Sequence, residues 1–155
     1  MDSMESFRQL FEYDHWANGE VMTSLASIPE QVEKPLRLFA HVLAAQRLWL
    51  ARFANPNPPN AKPWASLTLE ECHDAISNLH EHWLALLDRL TTERLVQDLT
   101  YRTTQGIEFK TPIRDVLTHL LMHSAYHRGQ VAAAVRKAGG KPAATDYVAY
   151  LRGKK

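Results

Sequence analysis

The chain has 155 residues, 45% of them hydrophobic, which is enough to close a core without disulfides, so one domain covering residues 1–155 is expected. Lys and Arg number 18 against 17 Asp and Glu, and the formal charge of +1 leaves no global electrostatic footprint for nucleic acid or anionic lipid. A single cysteine, Cys72, no apolar leader in MDSMESFRQLFEYDHWANGE and no apolar run of membrane-spanning length point to a cytoplasmic protein with no nucleic-acid or membrane partner.

Between Ser6 and Ala26, Phe7, Leu10, Phe11, Met22 and Leu25 recur at helical spacing and predict a first amphipathic helix ending before Pro29. A second helix starts near Pro35, carries Leu36, Phe39, Val42, Leu43, Trp49, Leu50 and Phe53, and stops at NPNPPNAKP, Asn55 to Pro63, a loop rather than a linker. TLEE, Thr68 to Glu71, has the form of a capping box and opens a third helix with Ile76, Leu79, Trp83, Leu86, Leu87 and Leu90. Alternation of Leu99, Tyr101 and Thr103 with Ile107 and Phe109 around TQG predicts a short hairpin. Thr111 as cap and Pro112 in the first turn then introduce a fourth helix that ends at Gly139 and Gly140, and TDYVAYLR adds a possible short one. Four long amphipathic helices with short connections predict an all-α four-helix bundle with a hairpin or loop insertion before the fourth helix.

The fourth helix contains HLLMHSAYHRGQ, with His119, His123 and His127 one turn apart near one face. His123 and His127 form an H-x-x-x-H pair that can reach one ion, and a third ligand must come from elsewhere. His41 on the second helix lies in a wide apolar stripe beside Leu38, Val42 and Ala45, where an imidazole without a partner costs free energy. An inward histidine on one helix and an inward pair on another assemble a three-histidine site with open coordination positions. His119 lies about 12 Å along the axis from His127 at 1.5 Å per residue, so it is expected to support the ligands or fill a polar core. His73, His80 and His82 are expected to be mostly solvated, while the environment of His15 is open.

Other residues have structural readings. Trp16 and Trp49 at helical spacing are expected in the core, and Gly129, costly in a helix, is expected to face a closely packed neighbour. Arg128 can pair with a carboxylate such as Asp14, and Gln46 is expected to hydrogen-bond a polar core group.

YDHWAN (Tyr13 to Asn18), HVLAAQRLWL (His41 to Leu50) and HSAYHRGQVAAAVRKAGGKP (His123 to Pro142) together resemble the DinB/YfiT-like metal-binding four-helix proteins, a superfamily unrelated to the DNA polymerase that shares the DinB name. The resemblance covers nearly the whole chain, and YHRGQV is its most specific element. It implies a divalent ion held by His41, His123 and His127, frequent homodimers, and, where activity is known, thiol-dependent transferases or isomerases using low-molecular-weight thiols.

Imidazole ligands suit zinc, nickel, copper or ferrous iron, with zinc and nickel the first expectations. An open site of this kind lowers the pKa of a bound water or stabilises a thiolate, so a metal-dependent transferase acting on a small molecule is expected, with a hydrolase as an alternative. No glutamate accompanies the pair as in H-E-x-x-H, so no general base is assigned. A small-ligand binder shaped by loops Asn55 to Pro63 and Thr103 to Gly106, and an ion that only staples two helices, are the rival classes. Apolar residues on two stripes of the second helix (Leu36, Phe39, Leu43 and Leu50 beside Leu38, Val42 and Trp49) point either to a homodimer or to covering by the hairpin and the tail Tyr147 to Leu151.

Overall fold

Apolar spacing produces the first two helices in the computed structural model, which describes residues 3–30, 32–59 and 62–154. Helix α1 (Ser3–Ala26) starts three residues before Ser6 and buries Phe11, Ala17, Val21 and Leu25 on one stripe. Helix α2 (Glu33–Ala54) has Pro35 in its first turn, where a missing N–H costs nothing. Every residue of α2 from Phe39 to Gln46 is buried, the mark of a helix enclosed on all sides. Its second apolar stripe is therefore covered within the chain: Phe39, Val42 and Leu43 are buried, and Leu36, Leu38, Trp49 and Leu50 pack against the core. In the proline-rich loop, Asn60 and Ala61 lie outside the described residues.

Thr68 and Glu71 make the capping box reciprocally, each side chain accepting the other residue's backbone N–H, and helix α3 (Leu69–Arg89) follows. A single turn, α4 (Thr92–Leu95), capped by Thr91, leads into strands β1 (Asp98–Arg102) and β2 (Glu108–Pro112). They pair antiparallel with Leu99 opposite Thr111 and Tyr101 opposite Phe109, and Gly106 takes φ 81° in the turn between them. Thr111 does not cap the next helix. Its backbone belongs to the ladder and its hydroxyl meets the Tyr101 hydroxyl at 3.2 Å, so helix α5 (Ile113–Lys137) starts directly after Pro112 with no side-chain cap.

The end of α5 does follow its glycines. Gly139 has φ 82°, and the Gly140 N–H donates to the Val135 carbonyl at 3.0 Å, closing the helix by a left-handed turn. A β-carbon on Gly140 would come within 2.9 Å of the Ile28 side chain, so this turn seats against the end of α1. Helix α6 (Tyr147–Gly153) folds over α1 rather than α2, with Tyr150 against Tyr13 and Trp16.

Helix α1 packs on α3 and α5, α2 packs on α5 and α3, and α1 barely touches α2, so α1 and α2 occupy opposite corners of a four-helix bundle. The hairpin before α5 is an insertion on this all-α frame. Trp83 is the core tryptophan, 1% exposed and 4.9 Å from Phe11 between ring centroids. Trp16 and Trp49 are only partly buried, because the tail and the hairpin cover them instead of the bundle interior. Among the described residues, no helix is long and apolar enough to cross a membrane.

Candidate metal centre

The most extensive helix pairing, α2 with α5, brings His41 against His123 and His127. One ring nitrogen from each of the three lies within 4.8 Å of the others. The Nε2 atoms of His41 and His123 are 3.2 Å apart, close to the roughly 3.3–3.4 Å that separates two nitrogens bound tetrahedrally at about 2.0–2.1 Å from one ion. Among the described residues no further His, Cys, Asp or Glu joins this group.

Two contacts set which nitrogens face inward. His41 Nδ1 donates to the Pro63 carbonyl at 2.6 Å, and His127 Nδ1 donates to Gln130 Oε1 at 2.7 Å, so in each ring Nε2 keeps its lone pair for the common point. His123 Nδ1 is buried without a partner, which leaves Nε2 as the polar contact of that ring. Burial pulls His123 down to about 4, with the imidazoles of His127, His41 and His119 adding to the effect. Burial also lowers His41, opposed by its bond to Pro63. Neutral imidazole is the form that binds a cation, and the three-nitrogen set fits a divalent transition metal.

Trp64 lies face to face on His41, ring centroids 3.7 Å apart and planes 8° from parallel, and the Arg37 guanidinium carbon sits over the same indole, 5.7 Å from the ring centroid. Neither Pro63 nor Trp64 is on a helix, and helical periodicity offers no route to them. The only signal is an aromatic residue in an otherwise polar, proline-rich stretch. Beside the triad run two adjoining grooves of about 540 and 470 Å³ that share Val32, Lys34 and Leu38; Gln130 lines the first and Trp64 the second.

His119 does not join the group. It is exposed and leans on Trp49 and His123, each at 5.7 Å between ring centroids, so it is not a polar core residue. His73 and His82 are solvated as expected, whereas His80 is largely covered because it stacks on His15 at 4.0 Å, with Glu12 3.5 Å away. Cys72 is fully buried, and burial raises its thiol to about 11 with Glu71 adding, so it is no nucleophile.

Immediately inside the two α5 ligands are Ser124 and Arg128, each one residue further along and therefore turned toward the bundle axis. Arg128 donates to Asp14 at 2.5 Å and to Asn18 at 3.0 Å, and Gln46 donates to Asp14 at 2.6 Å and to Ser124 at 3.1 Å. The pairing of Arg128 with Asp14 is thus buried, not a surface ion pair, and Gln46 belongs to this network and not to the ligand side. Asn18, four residues after Asp14, is the member that spacing did not suggest. The network ties α1, α2 and α5 together next to the ligands and fixes the register of His123 and His127 against His41. Gly129 has open space: a β-carbon there would meet nothing within 4 Å, so packing inside the chain does not account for it.

The chain is similar to Protein DinB of Bacillus subtilis (strain 168), 28% identical over 160 residues that cover 92% of each chain. The model of the DinB family matches residues 1–155, the whole length that holds the four helices, the hairpin and the triad, and the chain belongs to the DinB family.

Proposed function

We propose that His41, His123 and His127 bind one divalent ion, zinc or nickel, and that the protein is a metal-dependent enzyme of the thiol-dependent transferase type. The observation that carries this reading is the convergence of three imidazoles, two of them with their outer nitrogens engaged by Pro63 and Gln130, with no fourth side-chain ligand among the described residues. Such a set leaves coordination positions for an incoming molecule, as catalytic sites do and closed structural sites do not. A divalent ion there supplies Lewis acidity, which favours a thiolate over a thiol at neutral pH. The chain's own residues orient the ligands, shield them from solvent with Trp64 and offer the two flanking grooves to a small molecule. With Cys72 buried and unreactive, the thiol comes from the substrate side, a low-molecular-weight thiol of the reducing cytoplasm.

The experiment is elemental analysis of the purified protein followed by zinc and nickel titration. About one ion per chain is expected, lost when His41, His123 or His127 is changed to alanine and kept in His73→Ala. Full occupancy in the His123→Ala, His127→Ala double variant refutes the ligand assignment. Turnover of a thiol with an electrophile separates the enzyme from a binder, and ester or amide hydrolysis without thiol would favour the hydrolase alternative.

The same reading includes a homodimer. Met122 and Tyr126, 68% and 66% exposed, share a stripe of α5 with open-sided Gly129 and exposed Ala133, apolar surface beside the ligands that a second copy would cover. Light scattering tests it: a mass of twice 17.7 kDa is expected, returning to one chain in Tyr126→Glu.

A further inference from the structure

We infer that the protein has a second binding site, for the oxyanion head of a small phosphate monoester, at the far end of α2 where Arg52, Lys62 and Arg102 meet. It lies eleven residues along α2 from His41, about 16 Å at 1.5 Å per residue. A pocket of about 320 Å³ opens there between the proline-rich loop and the hairpin turn, lined by these three cations with Asn57, Thr103 and Thr104. The Arg102 N–H donates to the Pro56 carbonyl at 2.9 Å and fastens the loop to the hairpin, so the pocket walls are joined.

Arg52 is the observation that requires a ligand. It is 7% exposed, yet among the described residues no carboxylate pairs with it, and its buried Nε has no hydrogen-bond partner there. Its guanidinium lies 4.4 Å over the Trp49 ring and 5.2 Å from that of Tyr101. Those aromatic contacts hold the plane of the guanidinium and compensate part of its charge, but they accept none of its edge N–H groups. A buried guanidinium with an unused donor edge is costly unless an anion completes it, and its planar fork matches phosphate oxygens.

The surroundings agree in sign. Among the described residues, Lys62 makes no ion pair or hydrogen bond, and the Arg102 side chain has only an exposed contact at 3.7 Å with Glu108 and a hydrogen bond at 3.3 Å to the Gly106 carbonyl. Among the described residues no acid lines the pocket. On a chain whose formal charge is only +1, three cations facing one pocket without a carboxylate in its lining are a local excess. Leu48, Pro58 and Lys62 also line an adjoining groove of about 340 Å³ with Ala44, Ala51, Ala65 and Arg47, again with no acid among the described residues. The pair of spaces therefore fits an anionic head with an apolar body.

The test uses inorganic phosphate and phenyl phosphate, titrated into the full-length protein by calorimetry and by fluorescence of the tryptophan stacked on Arg52. Phenyl phosphate is expected to saturate one site per chain, more tightly than inorganic phosphate because its ring enters the apolar groove, and to weaken about tenfold in Arg52→Gln, the loss of one strong charge-assisted contact. Lys62→Ala and Arg102→Ala change surface side chains that the fold does not need, and each is expected to weaken binding severalfold, while His123→Ala leaves it unchanged. No saturation at about 10 mM, affinities untouched by Lys62→Ala and Arg102→Ala, or loss of binding in His123→Ala, which would place the anion at the histidine triad, each overturns the site. Equal affinity for the two probes overturns the apolar body and leaves a free-phosphate site instead.

Discussion

Removing the Asp14 carboxylate tests whether the buried network governs both stability and the histidine site. Asp14 accepts from Arg128, Gln46 and Asn18, and Arg128 is 2% exposed with Nε and one terminal nitrogen already without partners. In Asp14→Ala the guanidinium keeps the Asn18 oxygen and the face of the Tyr13 ring but no anion, and a buried charge stripped of its counter-ion costs about 3–5 kcal/mol. For a chain of 155 residues the unfolding entropy is about 2.1 cal/mol/K per residue, so the midpoint should fall by roughly 9–15 °C. Arg128→Met alone leaves a buried carboxylate and should be comparably damaging. The double variant Asp14→Ala, Arg128→Met removes both charges and should lose less than the sum of the singles by about 2–3 kcal/mol, a coupling expected of residues in direct contact. Urea unfolding followed by circular dichroism measures all four proteins, with zinc affinity as a second reading on the same samples. A loss under about 1 kcal/mol in Asp14→Ala, or strict additivity in the double variant, would refute the claim that a desolvated ion pair locks α1 to α5.

Burial pulls His123 down to about 4 in the metal-free folded chain, below the 6.5 of a free imidazole, so between these values the unfolded chain binds more protons and stability drops as pH falls, with no contribution above that window. Urea midpoints between pH 7.5 and 4 should show this loss, and His123→Gln should flatten part of it. Divalent-ion affinity should fall over the same range because protons take the same lone pairs, and an affinity independent of pH would exclude imidazole ligands. Thr68→Ala breaks the capping box of α3 and should cost about 1 kcal/mol in chemical unfolding. Gly140→Ala forces a methyl group against Ile28, Ser27 and Val135 and should cost about 1–3 kcal/mol; a neutral result would mean that the α5 turn is not seated on α1.

Local chemistry was enough for much of this protein. The spacing of Phe7 to Leu25, Pro35 at a helix start, the Thr68–Glu71 box and the glycine stop after α5 act within a few residues of themselves, so each was legible in the sequence. The H-x-x-x-H spacing and an isolated imidazole in an apolar stripe likewise singled out His123, His127 and His41, because helix geometry alone fixes which side chains share a face. Thr111 has a good capping side chain but is held in the ladder by Leu99, twelve residues earlier, a pairing that local capping chemistry does not encode. Trp16, Trp49 and His80 turned out differently from their spacing because α6, the hairpin and His15 cover them from elsewhere in the chain. Only the tertiary structure decided that Pro63 and Trp64 would close over His41, that Asn18 would complete the Asp14–Arg128 pair, and that Arg52 would be buried without a carboxylate. A loop carbonyl, a desolvated charge and an aromatic cover have no periodicity of their own. Their positions follow from how the packed helices bring remote segments together, which a linear pattern does not encode.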